Sequence, residues 1–396
     1  MTETIMTFSS KFQQHYFTCM MIIAASLVGL ITGYTLPFIS LRLAALGHDA
    51  VLLGVISALP AVGVFISSFI TPLFCRRINV KRLLILSLLL LSASTVASCL
   101  LIDPLTLILP RLTTGFAGGV VIVIGESWIT GAASDRYKAT FTGIYASAFT
   151  GFQLMGPLLI AAGADYAGFA AWSIGVTTAL CALMLVFCRD MARSQEKAPA
   201  SYRRILKTMA AIAVGVLCFS FFDASVLALF PLYGMANGLA ESTAVLLVTV
   251  IFLGDALLQP FMGWMADKLG VRRVHISCGI MFCILLTLVP LTFDFLPALM
   301  LNCFILGAVA GAIYTLSLVR AGNRFSGQKL IVANSIFGVI WGAGSISGPA
   351  LTGVVVSFIG YGGIIFCLVG MGMIFLAAQY LSASETHRAQ TASPSP

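Results

Sequence analysis

Four ionisable residues stand inside long apolar stretches of this chain: Arg111, Glu126, Asp223 and Asp255. Charge at bilayer depth is costly, so such residues usually face a protein interior and mark ion or substrate routes. Asp223 lies in Phe221-Phe222-Asp223-Ala224-Ser225 and Asp255 in Leu253-Gly254-Asp255-Ala256-Leu257. A carboxylate so placed can take up and release a proton, or hold a cationic substrate. Arg111 sits about two turns into its stretch and can either face inward or snorkel to the interface. Glu126 follows on the same helix, about 22 Å further along, too far to pair with Arg111. Its expected partners are Arg76 and Arg77 on a neighbouring loop.

Other chemistries find no support. No HExxH, GxSxG or Walker-type loop occurs. The ten cysteines contain no CxxC pair and have no metal-ligand spacing. His15, His48, His275 and His387 fall at loops or helix ends, so a histidine-centred membrane enzyme is not expected. No metal, no cofactor and no enzymatic activity are expected. Without a nucleotide-binding loop, an ion gradient is the remaining energy supply.

The elements that position these residues are set by composition. Of 396 residues, 59% are hydrophobic and only 9% charged, where a soluble domain carries about 25% charge. A soluble chain of this make-up could not cover itself with polar surface. A bilayer core of about 30 Å needs about 20 apolar residues per helix. Twelve stretches qualify: 17–41, 50–74, 81–102, 105–131, 139–163, 169–188, 208–234, 242–265, 274–293, 297–319, 329–357 and 360–382. Their apolar runs are continuous, unlike the alternation of a membrane barrel. The first is too long for a signal-peptide core and reads as an uncleaved span. The fold class is therefore all-α integral membrane.

Charge placement predicts orientation. With twelve spans both ends share a side, and the loops on that side carry 20 of the 22 basic residues. The other side has only Arg42. The positive-inside rule predicts cytoplasmic termini. The net charge of +8 thus records topology, and no nucleic-acid partner is expected. Segment 189–207 is polar with six basic residues and reads as a cytoplasmic linker. It divides an N-terminal bundle, 1–188, from a C-terminal one, 208–383. The tail, 384–396, is expected to be disordered.

The two halves are repeats. Gly156-Pro157 matches Gly348-Pro349, and Gly115 and Gly119 match Gly307 and Gly311, all at an offset of 192. The loop Cys75 to Arg82 falls 191 before Ala266 to Arg273. Parallel duplication of six-helix units builds a transporter that rocks about a midplane site.

The loop Gly263-Trp-Met-Ala-Asp267-Lys268-Leu-Gly270-Val-Arg272-Arg273 resembles the GxxxDRxGRR signature of the major facilitator superfamily (MFS). The first-half copy has Pro72 for the glycine, Arg76 for the aspartate and Asn79 for the second glycine. Arg111-Leu-Thr-Thr-Gly115 is similar to the family's RxxxG motif. Gly125-Glu126-Ser127, Phe230-Pro-Leu-Tyr233 and Asn334 to Pro349 resemble its YcaD-type branch. The resemblance spans the chain and implies two pseudo-symmetric six-helix bundles. It implies proton coupling or substrate binding for Arg111, and a charge cluster that locks the outward-open state for Glu126 with Arg76 and Arg77. Gly263, Asp267, Lys268, Gly270 and Arg272 become gating residues. With Arg76 in the first-half aspartate position, the two inner gates are expected to be unequal.

Gly151, Gly156-Pro157 and Gly163 partly match an antiporter motif. Close helix packing explains them better, as it does Gly338, Gly342, Gly344 and Gly348. Tyr34, Gln153, Phe222, Tyr314 and Trp341 are candidates to line the path. The favoured expectation is a secondary transporter of the bacterial cytoplasmic (inner) membrane, acting as a monomer. It would export a small amphipathic compound by alternating access, coupled to protons. The same fold also serves proton-coupled uptake of a small metabolite, and a non-transporting sensor or scaffold is a third reading.

Overall fold

The structure, a computed structural model, describes residues 2–47, 50–132, 136–161, 167–188 and 201–391. Among them run twelve α-helices: α1 (Thr2–Ala45), α2 (Ala50–Arg77), α3 (Val80–Leu100), α4 (Pro104–Ala132), α5 (Lys138–Ala161), α6 (Ala167–Val186), α7 (Tyr202–Ala236), α8 (Glu241–Leu269), α9 (Val271–Leu288), α10 (Leu296–Arg324), α11 (Gly327–Ile359) and α12 (Gly363–Thr391). Each holds a stretch long and apolar enough to cross a membrane.

Lipid offers no hydrogen bonds, so a spanning segment must satisfy its backbone internally, and a helix does. The same need explains the many tolerated hydroxyls. Ser26, Thr71 and Thr178 donate back to the carbonyls of Ile22, Ser67 and Ile174 at 2.8, 2.7 and 2.8 Å. Large apolar side chains cover the outside; Leu109, Phe358 and Phe366 are over two-thirds exposed, as a lipid-facing surface allows.

The structure describes only part of the linker and of the tail. Of the linker 189–207, residues 189–200 lie outside the described residues, and α7 already begins at Tyr202. α12 runs to Thr391. Extending an existing helix needs no new nucleus, so the drop in hydropathy does not end it. Residues 392–396 lie outside the described residues.

The helices form two compact units. One holds α1–α4, α5 from Tyr145, α6, and α11 up to Val339; the other holds α5 up to Ile144, α7–α10, α11 from Ile340, and α12. The first has a core of Met21, Leu84, Leu88, Val120 and Ala182, among others. The second is built around Phe230, Phe282, Leu306, Ile313 and Phe375. In each, one helix pair crosses through glycines. Gly115 of α4 abuts the Pro60 carbonyl of α2, as Gly307 of α10 abuts that of Ile251 on α8. Gly119 faces Val64 and Ser67 where Gly311 faces Asp255 and Gln259. A side chain at any of these glycines would force the pair apart, and close approach is what holds helices together in lipid.

Candidate functional site

Asp223 and Asp255 belong to the second unit. Each lies thirteen residues from the end of its span at the α7–α8 turn, Ala236 or Ser242. At 1.5 Å per residue both are about 20 Å deep. The two carboxylates are close enough for their charges to interact. Asp255 is buried, and its Oδ1 accepts from Gln259 Nε2 at 2.6 Å. Gln259 stands one helical turn on, where i and i+4 side chains meet. Its amide also donates to the Ala308 carbonyl at 3.2 Å and accepts from Thr315 Oγ1 at 3.0 Å. Asp255 is thus held by a chain running through α8 and α10. Asp223 is partly exposed, and among the described residues no group donates to its carboxylate.

Arg111 belongs to the first unit, on α4, and is sealed there at 1% exposure. Its Nη1 donates to Thr35 Oγ1 at 3.0 Å and its Nε to the Ile56 carbonyl at 3.5 Å. It does not snorkel, because those partners draw it inward. Among the described residues no carboxylate pairs with it. Its repeat counterpart, Cys303, is also buried but neutral.

At the end of the helices rich in basic residues, Asp267 docks onto the start of α5. Its Oδ1 accepts from the Ala139 amide at 2.9 Å; its Oδ2 accepts from the Thr140 amide at 2.8 Å and Thr140 Oγ1 at 2.6 Å. The first amides of a helix lack internal partners, and a carboxylate there also meets the positive end of the helix dipole. One turn earlier, Gly263 lies against the Ala139 carbonyl. Lys268 Nζ stands 4.1 Å over the Trp264 ring, a cation–π contact. Gly270 adopts φ +95°, which suits glycine and turns the chain from α8 into α9. Arg272 is exposed just beyond it.

The first unit builds the matching corner differently. Arg76 and Arg77 are exposed on the last turn of α2. On α11, Gln328 Nε2 donates to the Pro72 carbonyl at 2.8 Å, and Asn334 Nδ2 to Ser127 Oγ at 2.9 Å. The two corners are chemically unequal. Glu126 is buried nearby and interacts with Tyr145, whose hydroxyl lies against Gly125.

The path-lining candidates separate. Phe222 is buried in the core and packs edge-on against Phe282 at 5.2 Å. Helix rotation, invisible in a continuous apolar run, turns it inward. Tyr34 is buried and stacks on Phe38 at 5.3 Å. Tyr314 is partly exposed and its ring meets Phe219 at 5.3 Å. Gln153 and Trp341 are partly exposed. In α5, Gly156 presses on the backbone of Gly33, a packing contact, and Gly163 lies outside the described residues.

Sequence reasoning missed Gln259 and His275. Gln259 was legible as the i+4 partner of Asp255. His275, placed at a helix end, is instead fully buried in α9. Its Nδ1 accepts from Arg320 Nη1 at 3.0 Å and its Nε2 bonds the Ile313 carbonyl at 3.0 Å. Arg320 also donates to Gln379 Oε1 at 2.5 Å, and Gln379 Nε2 to the Ala211 carbonyl at 2.6 Å. This polar knot ties α7, α9, α10 and α12 together.

Twelve spanning helices in two repeated units, with charge held at mid-depth, define a membrane carrier of the two-bundle kind. The comparisons with known proteins agree. The chain belongs to the Major Facilitator Superfamily, whose model matches residues 21–240 and 212–395. It is a secondary transporter of the YcaD-type branch. The uncharacterized MFS-type transporter YfkF of Bacillus subtilis is 22% identical, over 86% of this chain and 88% of its own length. The uncharacterized MFS-type transporter YcaD of Salmonella enteritidis is 23% identical, over 84% and 87%. The E. coli fucose:proton symporter FucP (N162A) shares the fold at a TM-score of 0.70 and 12% identity, covering 92% of this chain and 99% of that one. The human organic anion transporter MFSD10 does so at 0.70 and 10%, with the same coverage.

Proposed function

We propose that this carrier exports a small amphipathic compound across the bacterial cytoplasmic membrane in exchange for protons. One chain serves as a complete pathway and both termini face the cytoplasm. The observation that carries the reading is the acid pair: Asp255 is held by Gln259, while Asp223 beside it is partly exposed and has no protein donor among the described residues. Two carboxylates that share a low-dielectric level repel each other, so one of them readily exchanges a proton. Tying that exchange to substrate binding couples flux to a pH gradient as the bundles alternate. Export fits surroundings rich in phenylalanine and small residues and poor in fixed polar groups, which suit loosely specified apolar ligands. The orientation rests on the 20 basic residues gathered on one side. Asp267 and Gly263 act as the gate on that side, since their contacts with α5 have to break and remake in each cycle. The reading is tested in liposomes under an imposed pH gradient. Asp223→Asn is expected to lose gradient-driven flux while remaining folded; flux with unchanged pH dependence would overturn the proton role.

A further inference from the structure

The repeat separates what the fold needs from what it does not. At the first-half positions that match Asp223 and Asp255 stand Ile31 and Val64, read at the offsets of 192 and 191. Ile31 is a buried core residue, and Val64 faces Gly119 just as Asp255 faces Gly311. The same helix crossing therefore forms with apolar residues in one unit and with acids in the other. The acids are an addition to the scaffold.

Their surroundings indicate what the addition is for. Among the described residues, Asp255 bears electrostatically on Asp223. No arginine or lysine balances it there. Phe219 stands one turn before Asp223, so the two share a face of α7. Its ring meets that of Tyr314, which projects from α10 one turn beyond Gly311. Phe219, Asp223 and Tyr314 are all partly exposed, whereas Asp255 is nearly sealed and pinned by Gln259. A membrane-depth face with aromatic rings and one unpinned carboxylate backed by a second has the chemistry that recognises an organic cation. Ring faces attract ammonium groups, and most strongly where water is excluded. The second carboxylate adds attraction for a cation and repels an anion.

We infer that this face binds a lipophilic organic cation at Asp223, with Asp255 as the fixed second charge and Phe219 and Tyr314 as its aromatic wall. The inference rests on the proton-exchange reading for its direction: the arriving cation takes the place of one proton on Asp223, so charge at the site is conserved. It commits the cargo to a positive charge, which that reading does not require.

The test uses two probes of near-identical shape and opposite charge, tetraphenylphosphonium and tetraphenylborate, with purified full-length protein and no gradient. Tetraphenylphosphonium is expected to bind and tetraphenylborate not. Asp223→Asn is expected to weaken the cation about 10- to 100-fold, the range for losing one charged contact. Phe219→Leu should weaken it about fivefold, and Asp223→Glu should restore most of the affinity. Thermal unfolding of each variant controls for folding. Equal binding of the two probes would overturn the inference. So would unchanged phosphonium affinity in Asp223→Asn and in the Asp223→Asn/Asp255→Asn double variant. If the cation binds through the acids but its flux ignores a pH gradient, proton coupling fails and the cation site stands. If flux follows the gradient but neither variant alters phosphonium binding, the cation site fails and the coupling stands.

Discussion

Removing the carboxylate of Asp267 should free the start of α5. Asp267→Ala deletes three accepted hydrogen bonds at once, from the Ala139 amide, the Thr140 amide and Thr140 Oγ1. Losing a helix N-cap costs about 1 kcal/mol, and hydrogen bonds to a charged acceptor contribute roughly 1.5–3 kcal/mol each. Asp267 is partly exposed, so water replaces part of what is lost, and about 2–3 kcal/mol is a fair total. At 1.4 kcal/mol per tenfold, the contact should open about 30- to 150-fold more often. Hydrogen exchange of a peptide covering 138–144 reads this directly. It should accelerate in Asp267→Ala, with the core helices α9 and α10 unchanged. Asp267→Asn keeps one carbonyl acceptor and should give a smaller effect. In transport, both variants should alter turnover more than substrate affinity, because Asp267 touches α5 and no partly exposed aromatic of the proposed site. Unchanged protection at 138–144 would refute the capping argument, and a selective loss of affinity would refute the gating role.

Three further outcomes follow from single contacts. Gly263→Val places a branched side chain against the Ala139 carbonyl, so it should part α5 from α8 and speed exchange over 138–144 even with Asp267 intact. Gln259→Leu removes the donor to Asp255 and the acceptor for Thr315; it should lower thermal stability in detergent by about 1–3 kcal/mol, and an unchanged melting temperature would show that water replaces it. Gln379→Leu strips Arg320 of an acceptor and the Ala211 carbonyl of a donor; it should destabilise by a similar amount, read by the same melt.

The spans were legible because they are dictated by composition: a run of about 20 apolar residues has few other ways to exist. The repeat and the loop motif were legible because glycines have few physical uses: close backbone approach at the fixed offsets, and a positive-φ turn at Gly270. Rotation about each helix axis was not legible. A helix that is apolar all round gives no periodic signal of which face turns inward. Phe222 is therefore core and Phe219, three residues earlier, is partly exposed, with nothing in the sequence to separate them. Arg111 looked like a residue that could snorkel, and only Thr35 and the Ile56 carbonyl, both distant in sequence, show why it does not. His275 was misplaced for a related reason. Its position near a helix end gave no sign of burial, but Arg320, Ile313 and Phe375 close over it. Gln259 was overlooked because a neutral amide raises no alarm in an apolar run.

Duplication gives a way to sort these residues by purpose. Where the halves agree, at Gly115 and Gly307, Gly119 and Gly311, Gly156 and Gly348, the residues pack helices. Where they disagree, three pairs set a charge against an apolar or neutral residue, Asp223 against Ile31, Asp255 against Val64 and Arg111 against Cys303, and a fourth sets opposite charges, Asp267 against Arg76. A purely structural charge would have to be repeated or compensated in the other half, because both halves build the same crossings. None of these four is repeated. The apolar copies at 31, 64 and 303 show that the bundle forms without charge there, so the cost of burying it is borne for another reason. That reason differs by position. Arg111 is sealed and bonded to the polar groups that hold it, while Asp223 is partly exposed. The prediction is directional: Val64→Asp should place an acid beside Ser67 and Gly119 with no side-chain amide like that of Gln259 to hold it, and so destabilise the first unit, whereas Asp255→Val should leave the second unit folded and weaken cation binding. If Asp255→Val unfolds the protein instead, the acid is structural and the sorting by repeat fails at that position.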